Sequence, residues 1–262
     1  MAKSLVSQKK LILARKETYR QKHIQQSGVQ QPERKEVTPL DEAEKALFEA
    51  GKVLLIDKPL HWTSFDVVRK IRNRLRIKKV GHAGTLDPLA TGLLIVCTGK
   101  FTKKINEYMA SEKEYTGTFT LGAVTPTYDL ESLPEQQKDF SMINAEQLHA
   151  TTGKFTGEID QFPPIYSAIK IKGTPMYELA RRGEEVELKS RKIVISEFEL
   201  TAIELPVVHF RIVCSTGTYI RSIAHDFGQA LGCGAYLSQL RRTRIGEFSV
   251  DAAEKGDGWG IV

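Results

Sequence analysis

The order of the apolar segments limits the fold more than any other feature of the chain. VLLID at 53–57 and TGLLIVCTG at 91–99 have the length and apolar content of buried strands, and EYTGTFTLG at 114–122 alternates as a half-buried strand does. Amphipathic segments typical of helices, at 63–75 and 217–231, stand among them without strict alternation. This order favours an α+β fold with a mixed sheet over a doubly wound fold.

Weaker patterns complete the prediction. Further strands are expected in IYSAIKIKG at 165–173 and near 185–200 and 207–214, and further helices at 41–50, 100–111 and 144–152. The stretch between 123 and 141 is expected to be a loop. Gly232 is expected to cap the C-terminus of the helix predicted at 217–231.

The positive charge of the chain is concentrated at its N-terminus. The net charge is +6, and residues 1–31 carry seven basic side chains and one acidic one. Residues 32–262 therefore carry equal numbers of basic and acidic side chains. The pI of the whole chain consequently gives no argument that the folded body binds nucleic acid. Because residues 1–40 are polar and poor in aromatic side chains, we expect them to form a basic tail.

One local patch in the body is strongly basic. Residues 69–79, RKIRNRLRIKK, contain seven cations and no anion, on a predicted helix that Thr63 and Asp66 begin as a capping box. Such a run is either a solvated amphipathic face or a surface that meets a polyanion, and the lack of any carboxylate keeps the second reading open.

Several kinds of site are excluded because their spacings are missing. The sequence contains no P-loop, no HExxH and no CxxC, so we expect neither a cofactor nor a metal. The three cysteines are far apart, and no apolar run approaches the length of a membrane span. We expect a cytoplasmic protein with no membrane association and no implied protein partner.

The stretch GHAGTLDPLATG at 81–92 sets a single carboxylate, Asp87, among three glycines and a proline. By itself an Asp-Pro pair most often marks an ordinary turn. Here it occurs in the same chain, and in order, with VLLIDKP, KEYTG, YSAIKIKGTPMYELARRG and CSTGTYIRSIAHDFGQALGCGAYLSQLRRT.

Together these segments resemble the TruB-type tRNA pseudouridine synthases over about residues 52–250. The resemblance implies a pseudouridine-synthase fold, with a mostly antiparallel mixed sheet flanked by helices. It implies a catalytic domain over 41–250 and conversion of uridine 55 in the T loop of tRNA to pseudouridine. It also implies contact with the T arm at the tRNA elbow.

The resemblance assigns three catalytic residues. Asp87 matches the family nucleophile, whose target, the sugar C1′ or the base C6, the sequence leaves open. Arg221 matches the arginine that pairs with it, and a guanidinium suits that task because its planar fork binds a carboxylate bidentately. Tyr115 matches the tyrosine that stacks on the target uracil.

Further residues are implied in substrate binding. In the body these are Lys58 and Pro59, which line the family's pocket, His82 near the vacated base position, Gly84 in the glycine-rich stretch, and Leu240 beside the catalytic carboxylate. Residues 162–185 match a segment that closes over the RNA arm, with Tyr166, Lys170, Arg181 and Arg182 as candidates. The basic helix, Arg241, Arg242 and Arg244 are candidate phosphate contacts, and the glycines 81, 84 and 92 are expected to allow unusual backbone angles and close approach of RNA.

The sequence departs from the family in two places. TPTYDLES at 125–132 differs from the usual acidic, glycine-ended pattern, so we carry over no function to it. Because only residues 251–262 follow the matched segments, we expect a short C-terminal tail there without the additional RNA-binding domain of many members. A non-catalytic chaperone of tRNA folding and a synthase acting on another RNA remain as alternatives.

Deletion of residues 1–31 should leave turnover at saturating tRNA unchanged and reduce the salt dependence of tRNA binding. The deletion removes six net positive charges, which release counterions only where they touch RNA. The measurement is the slope of log Kd against log salt for both chains. An equal slope would show that the tail makes no RNA contact, and lost turnover would show that it belongs to the catalytic domain.

Overall fold

A nine-stranded sheet with a single parallel contact forms the body of the protein, in a computed structural model. The structure describes residues 40–167, 169–171, 173–184 and 187–255, without the side chain of Lys170. The main strand order is β1-β3-β10-β4-β9-β8-β5, with β2 paired to β3 and β11 to β10. Only β3 and β10 run parallel, and the other pairs of this sheet are antiparallel. The prediction of an α+β fold with a mixed sheet is therefore confirmed.

The elements follow one another in this order. The strands are β1 Val53–Lys58, β2 Val80–Ala83, β3 Ala90–Thr98, β4 Lys113–Leu121, β5 Gly157–Gln161, β6 Lys170–Ile171, β7 Thr174–Pro175, β8 Arg191–Glu204, β9 Val207–Cys214, β10 Ala235–Ile245 and β11 Phe248–Ser249. The α-helices are α1 Glu42–Ala50, α2 Ser64–Leu75, α3 Ile105–Ala110, α4 Ala145–Gly153, α5 Met176–Arg181 and α6 Ile220–Ala230, with 3-10 turns at Gly99–Lys104 and Val250–Ala252.

Helix α2 begins where the sequence predicts. The Thr63 side chain accepts a hydrogen bond from the Asp66 amide at 3.0 Å, and the Asp66 carboxylate accepts one from the Thr63 amide, also at 3.0 Å. The apolar stripe that includes Val67 and Ile71 is buried in a core cluster with β1 and β3. Arg69 is exposed on the other side of the helix, whereas Arg72 and Arg74 are half-buried and Arg72 donates to Val80 O at 3.1 Å.

Helix α6 packs on the opposite part of the sheet. Its Phe227 ring lies 5.6 Å from Phe119 on β4 and 5.7 Å from Phe198 on β8, in a cluster of buried aromatic rings. Gly232 follows the helix with φ +80°, as expected of a residue just beyond a helix end. This packing fixes the first turn of α6, which carries Arg221, against the end of the sheet.

Three local predictions need correction. The strand predicted for 165–173 is reduced to Lys170–Ile171, because it pairs only with the two-residue strand Thr174–Pro175. His82 belongs to the glycine-rich stretch 81–92, in which an ordinary turn is the common expectation, but it lies on β2 opposite Val96 of β3. The helix predicted for 100–111 begins as a 3-10 turn at Gly99–Lys104.

The parallel contact between β3 and β10 requires a glycine. Gly92 has φ +100°, and a Cβ there would lie 2.2 Å from the Arg242 carbonyl oxygen. The close neighbour of Gly92 is therefore the backbone of β10, which corrects the expectation that this glycine admits RNA. Gly84, with φ +89°, has the unusual backbone angle that was expected of it.

Among the described residues, no helix is both long and apolar enough to cross a membrane. The same part of the chain contains no group of three or more His, Cys, Asp or Glu side chains arranged to hold a metal ion.

Gly92→Ala should lower the free energy of unfolding by more than about 2 kcal/mol, because the new Cβ meets backbone and the φ angle is strained. Gly153→Ala is the matched control. It has nothing within 4 Å and lies at the end of α4, so it should be neutral or slightly stabilising. Urea unfolding of both variants and wild type gives the comparison. Equal stability of the two variants would contradict the close β3–β10 contact.

Candidate active site

Asp87 stands in a short turn between β2 and β3 that is fastened to its surroundings. The Asp87 carbonyl accepts from the Ala90 amide at 3.0 Å. The Ser64 hydroxyl bonds both backbone groups of Leu86, accepting from its amide at 2.9 Å and donating to its carbonyl at 3.2 Å. The Pro88 carbonyl accepts from the His61 amide at 2.8 Å. The start of α2 and the segment before it thus fix the turn that presents the carboxylate.

Arg221 meets Asp87 from the first turn of α6. Its Nε lies 3.0 Å from Asp87 Oδ2, and its Nη2 donates to Oδ1 at 3.3 Å. Both nitrogens contact the carboxylate, but only Nη2 has hydrogen-bond geometry, so the two residues form a close ion pair with one hydrogen bond. The Arg221 side chain is 6% exposed and the Asp87 side chain 36% exposed, so the carboxylate is accessible while its counter-charge is not.

The same guanidinium is held by a second carboxylate and two backbone carbonyls. Arg221 Nη1 donates to Thr127 O at 3.2 Å and to Tyr166 O at 3.1 Å, and Nε lies 3.7 Å from Asp129 Oδ2. Asp129 is buried, and burial raises its pKa, although Arg221 acts in the opposite direction. Arg221 is therefore shared between an accessible carboxylate and a buried one.

Tyr115 lies on β4, opposite Arg242 of β10, and is buried. Burial raises the pKa of its hydroxyl, which remains protonated at neutral pH. Arg242 is also buried and donates to Leu93 O at 2.8 Å and to Gly84 O at 3.1 Å. It therefore connects β10 and β3 with the start of the Asp87 turn.

A cavity of about 270 Å³ brings these groups together. Of the predicted residues, it is lined by Gly84, Asp87, Tyr115, Arg221 and Leu240. The other lining residues are Thr85, Leu86, Met109, Lys113, Arg191, Ser215, Thr216, Gly217, Thr218, Tyr219, Ile220 and Arg242.

Three predicted substrate-binding residues lie beside the cavity and do not line it. Lys58 is fully buried, and its Nζ donates to Pro59 O at 3.0 Å and to Trp62 O at 2.6 Å. Burial lowers the pKa of Lys58 to about 8, although Asp87 acts in the opposite direction. Pro59 and His82 are half-buried, and burial lowers the pKa of His82, with Arg242 adding to the effect. In this arrangement Lys58 supports the segment that holds the Asp87 turn.

The predicted closing segment contributes one backbone contact to the site. The Tyr166 carbonyl accepts from Arg221, whereas Arg181 and Arg182 lie exposed on and just after α5. Arg182 is within 3.7 Å of Glu178 and 3.8 Å of Glu184, and Arg181 lies over the Tyr177 ring at 5.4 Å. The backbone of Lys170 is in β6, and its side chain is outside the described part of the structure.

The prediction of phosphate contacts on β10 is wrong for Arg242, whereas for Arg241 and Arg244 it stays a prediction. Arg242 is 1% exposed and bonds only to the protein interior. Arg241 makes a bidentate pair with Asp57 at 2.8 and 2.9 Å, and Arg244 pairs with Glu112 at 3.2 Å. Arg242 is buried because β10 is a central strand, whereas the side chains of Arg241 and Arg244 are 38% and 34% exposed.

Sequence reasoning missed three charged residues of the site: Asp129, Lys113 and Arg191, of which Lys113 and Arg191 line the cavity. Asp129 belongs to the TPTYDLES stretch, to which no role was given. Lys113 lies two residues before Tyr115 on the same face of β4, and burial lowers its pKa to about 8. Its amine donates to the carbonyls of Met109 and Ser111, at the end of α3. The spacing of Lys113 and Tyr115 was a readable signal, whereas nothing local marked Asp129.

Comparison with known proteins gives a consistent result. A family model described as TruB family pseudouridylate synthase (N terminal domain) matches residues 72–220, and one described as tRNA pseudouridylate synthase B C-terminal domain matches 221–255. The chain is 57% identical over 210 residues to the tRNA pseudouridine synthase B of Flavobacterium johnsoniae, covering 78% of this chain and 92% of that protein. It is 52% identical to the corresponding protein of Parabacteroides distasonis, covering 78% and 89%.

Solved structures with the same architecture include the Cbf5-Nop10-Gar1 complex. There the TM-score is 0.61 at 31% identity, covering 85% of this chain and 56% of that one. An H/ACA RNP bound to a substrate RNA containing 2′-deoxyuridine gives a TM-score of 0.58 at 29% identity, covering 78% and 50%. This chain therefore spans about half the length of those solved chains.

Asp129→Asn should be at least as stable as wild type at pH 7 and yet turn over at least about tenfold more slowly, because Arg221 loses its second carboxylate. A carboxyl whose pKa is raised by folding contributes stability below its unfolded pKa and loses that contribution as pH rises through the folded value. The charged Asp129 thus costs stability at pH 7, and the difference between the two proteins should disappear below about pH 4.

Urea unfolding at pH 7 and pH 4 measures the stability difference, and single-turnover kinetics at saturating RNA measure the rate. A variant that is much less stable than wild type at pH 7 would show that the ionised Asp129 is a net stabilising group.

Proposed function

The chain belongs to the TruB family of pseudouridine synthases, and from this premise we propose that it converts uridine 55 in the T loop of tRNA to pseudouridine. The observation that carries the proposal is the close ion pair of Arg221 with the accessible Asp87, in which Nη2 donates to Oδ1, at a cavity that Tyr115 also lines. A carboxylate so held has the position and charge of a nucleophile. The alternative of a non-catalytic RNA chaperone requires none of this geometry.

The reaction is an isomerisation that side chains alone can perform. The bond from ribose C1′ to N1 of uracil breaks, and a bond from C1′ to C5 forms. C5 loses a proton and N1 carries one in the product, so no electrons are exchanged with a second reactant. We assign Asp87 as the nucleophile, with Arg221 fixing its orientation and balancing its charge.

The cavity suits a base that becomes negatively charged as its bond to ribose breaks. Lys113, Arg191, Arg221 and Arg242 line it together with one carboxylate, Asp87. Fixed cations in a partly dry site stabilise developing negative charge more strongly than water does. We propose that these groups hold the detached uracil while it rotates to present C5 to the sugar.

Tyr115 and Leu240 are proposed to hold the uracil by its faces. Both line the cavity, on the adjacent strands β4 and β10. An aromatic ring gives a base a stacking surface in place of its neighbours in the RNA, which offsets part of the few kcal/mol that flipping costs. The protonated Tyr115 hydroxyl can also donate a hydrogen bond to the base.

The tRNA is proposed to approach with its T arm across exposed cations. Arg69, Arg76, Lys78 and Lys79 are exposed on and after α2, whose first residue is bonded to the Asp87 turn. Cations placed in this way position the phosphate backbone, while the flipped base is read inside the cavity. Arg181 and Arg182 provide a second exposed group in the segment proposed to close over the RNA, and tRNA as substrate supports a cytoplasmic location.

Asp87→Asn should abolish pseudouridine formation and leave the Kd for tRNA within about tenfold of wild type, or about 1.4 kcal/mol. The amide is nearly isosteric with the carboxylate but is a far weaker nucleophile. Asp139→Asn is the matched control, because Asp139 is exposed in the loop before α4 and should keep full activity. The measurement maps pseudouridine in tRNA treated with each purified protein.

The proposal is supported if wild type forms pseudouridine at position 55 and the Asp87→Asn variant does not. Turnover by Asp87→Asn close to wild type would remove Asp87 from the mechanism. Modification by wild type at other positions or only in other RNAs would overturn the assigned substrate and favour a synthase acting on another RNA.

A further inference from the structure

An aromatic pair lies directly behind the shared guanidinium. The Tyr128 ring stacks on His225 with centroids 4.0 Å apart and planes 22° from parallel. Tyr128 stands between Thr127 and Asp129, the two residues that contact Arg221 from the loop after β4. His225 is four residues after Arg221 on α6 and so lies on the same side of that helix, one turn further along.

The backbone at Tyr128 is strained, because a tyrosine does not favour the conformation that it adopts there. Its φ is +64°, in the left-handed region, where Gly and Asn are favoured and a bulky side chain is disfavoured. Such a conformation persists only where the surroundings determine it. Here the Tyr128 carbonyl accepts from the Leu237 amide of β10 at 2.9 Å, and the ring is held by His225.

The loop is consequently joined to α6 at two levels. One level is polar and consists of Thr127 O and the Asp129 carboxylate on Arg221. The other level is the stacking of the Tyr128 and His225 rings. His225 Nδ1 also lies 3.0 Å from Asp226 Oδ1 on the same helix. Asp129 has its own local bonds, from the Thr127 hydroxyl at 2.7 Å and the Glu131 amide at 2.9 Å. Those bonds shape the loop but do not tie it to the helix, so the ring pair and the Thr127 carbonyl are the contacts that hold the loop, and Asp129 with it, beside α6.

We propose that Tyr128 and His225 are positioning residues that hold Asp129 against Arg221 and thereby orient Asp87. This inference rests on the proposed function, because its effect is read through the Asp87 nucleophile. Without the ring pair the loop is no longer held against α6. Asp129 then no longer fixes the orientation of the Arg221 guanidinium toward Asp87. The rate of the chemical step falls, whereas tRNA affinity stays unchanged because neither ring lines the cavity.

Substitution of Tyr128 by Asn separates this role from simple packing. Asn tolerates the left-handed backbone better than Tyr, so Tyr128→Asn relieves strain while it removes the ring. We expect its melting temperature to be close to wild type and its single-turnover rate at saturating tRNA to fall roughly fivefold, the effect of losing an aromatic pair. Tyr128→Phe and His225→Phe keep a ring pair and should retain the rate, whereas His225→Ala should lose it.

Two further measurements test whether the loss of rate arises through Arg221. His225→Ala added to Asp129→Asn should slow turnover little beyond Asp129→Asn alone, because both act through Arg221. Hydrogen exchange at the Leu237 and Glu131 amides, which bond to Tyr128 O and Asp129 Oδ1, should become faster in Tyr128→Asn and His225→Ala. His209→Ala, at a half-buried histidine on β9, is the control and should alter neither quantity.

The possible failures are distinguishable. An active wild type whose Tyr128→Asn and His225→Ala variants match it in rate and amide exchange would overturn the positioning role and leave the proposed function intact. Full additivity of His225→Ala with Asp129→Asn would overturn the route through Arg221. A wild type that forms no pseudouridine in tRNA would overturn the proposed function itself, and with it the role assigned to the ring pair.

Discussion

The site depends on one buried guanidinium that several segments must satisfy at once. Arg221 receives Asp87 from the β2–β3 turn, Thr127 and Asp129 from the loop after β4, and the Tyr166 carbonyl from the following segment. Leaving a buried charge without its partner costs on the order of 3–5 kcal/mol. Folding therefore favours the arrangement in which these segments meet at the start of α6, and the same arrangement leaves Asp87 accessible.

A second buried cation, Arg242, also lines the cavity. Arg242 bonds the backbone of β3 and of the glycine before the Asp87 turn, and Gly92 allows its strand to approach. Lys58 and Lys113 are buried nearby, and burial lowers the pKa of each to about 8, with Arg242 contributing in the same direction. This concentration of positive charge is a cost in an empty protein and an advantage when a negatively charged base occupies the cavity.

Much of the fold was predictable because its signals are local. The capping box at Thr63, the apolar stripe of α2 and the alternation in β4 depend only on near neighbours in the chain, and all three agree with the structure. The strand expected at 165–173 was largely wrong, because a strand needs a partner that the sequence does not name. The exposed role expected of Arg242 was wrong because its burial depends on strands distant in sequence.

The sequence by itself determined the family, several of the helices and strands, and the candidate catalytic residues Asp87, Tyr115 and Arg221, since these stand in motifs that can be read one segment at a time. Only the tertiary structure decided that Asp129 shares Arg221, that Lys58 lies behind the cavity, and that Tyr128 stacks on His225. The physical reason is that these contacts join residues distant in the chain: 221 − 129 = 92 positions separate Asp129 from Arg221, and 225 − 128 = 97 separate Tyr128 from His225. Their energies depend on distances of a few ångströms, which folding sets and no local pattern records.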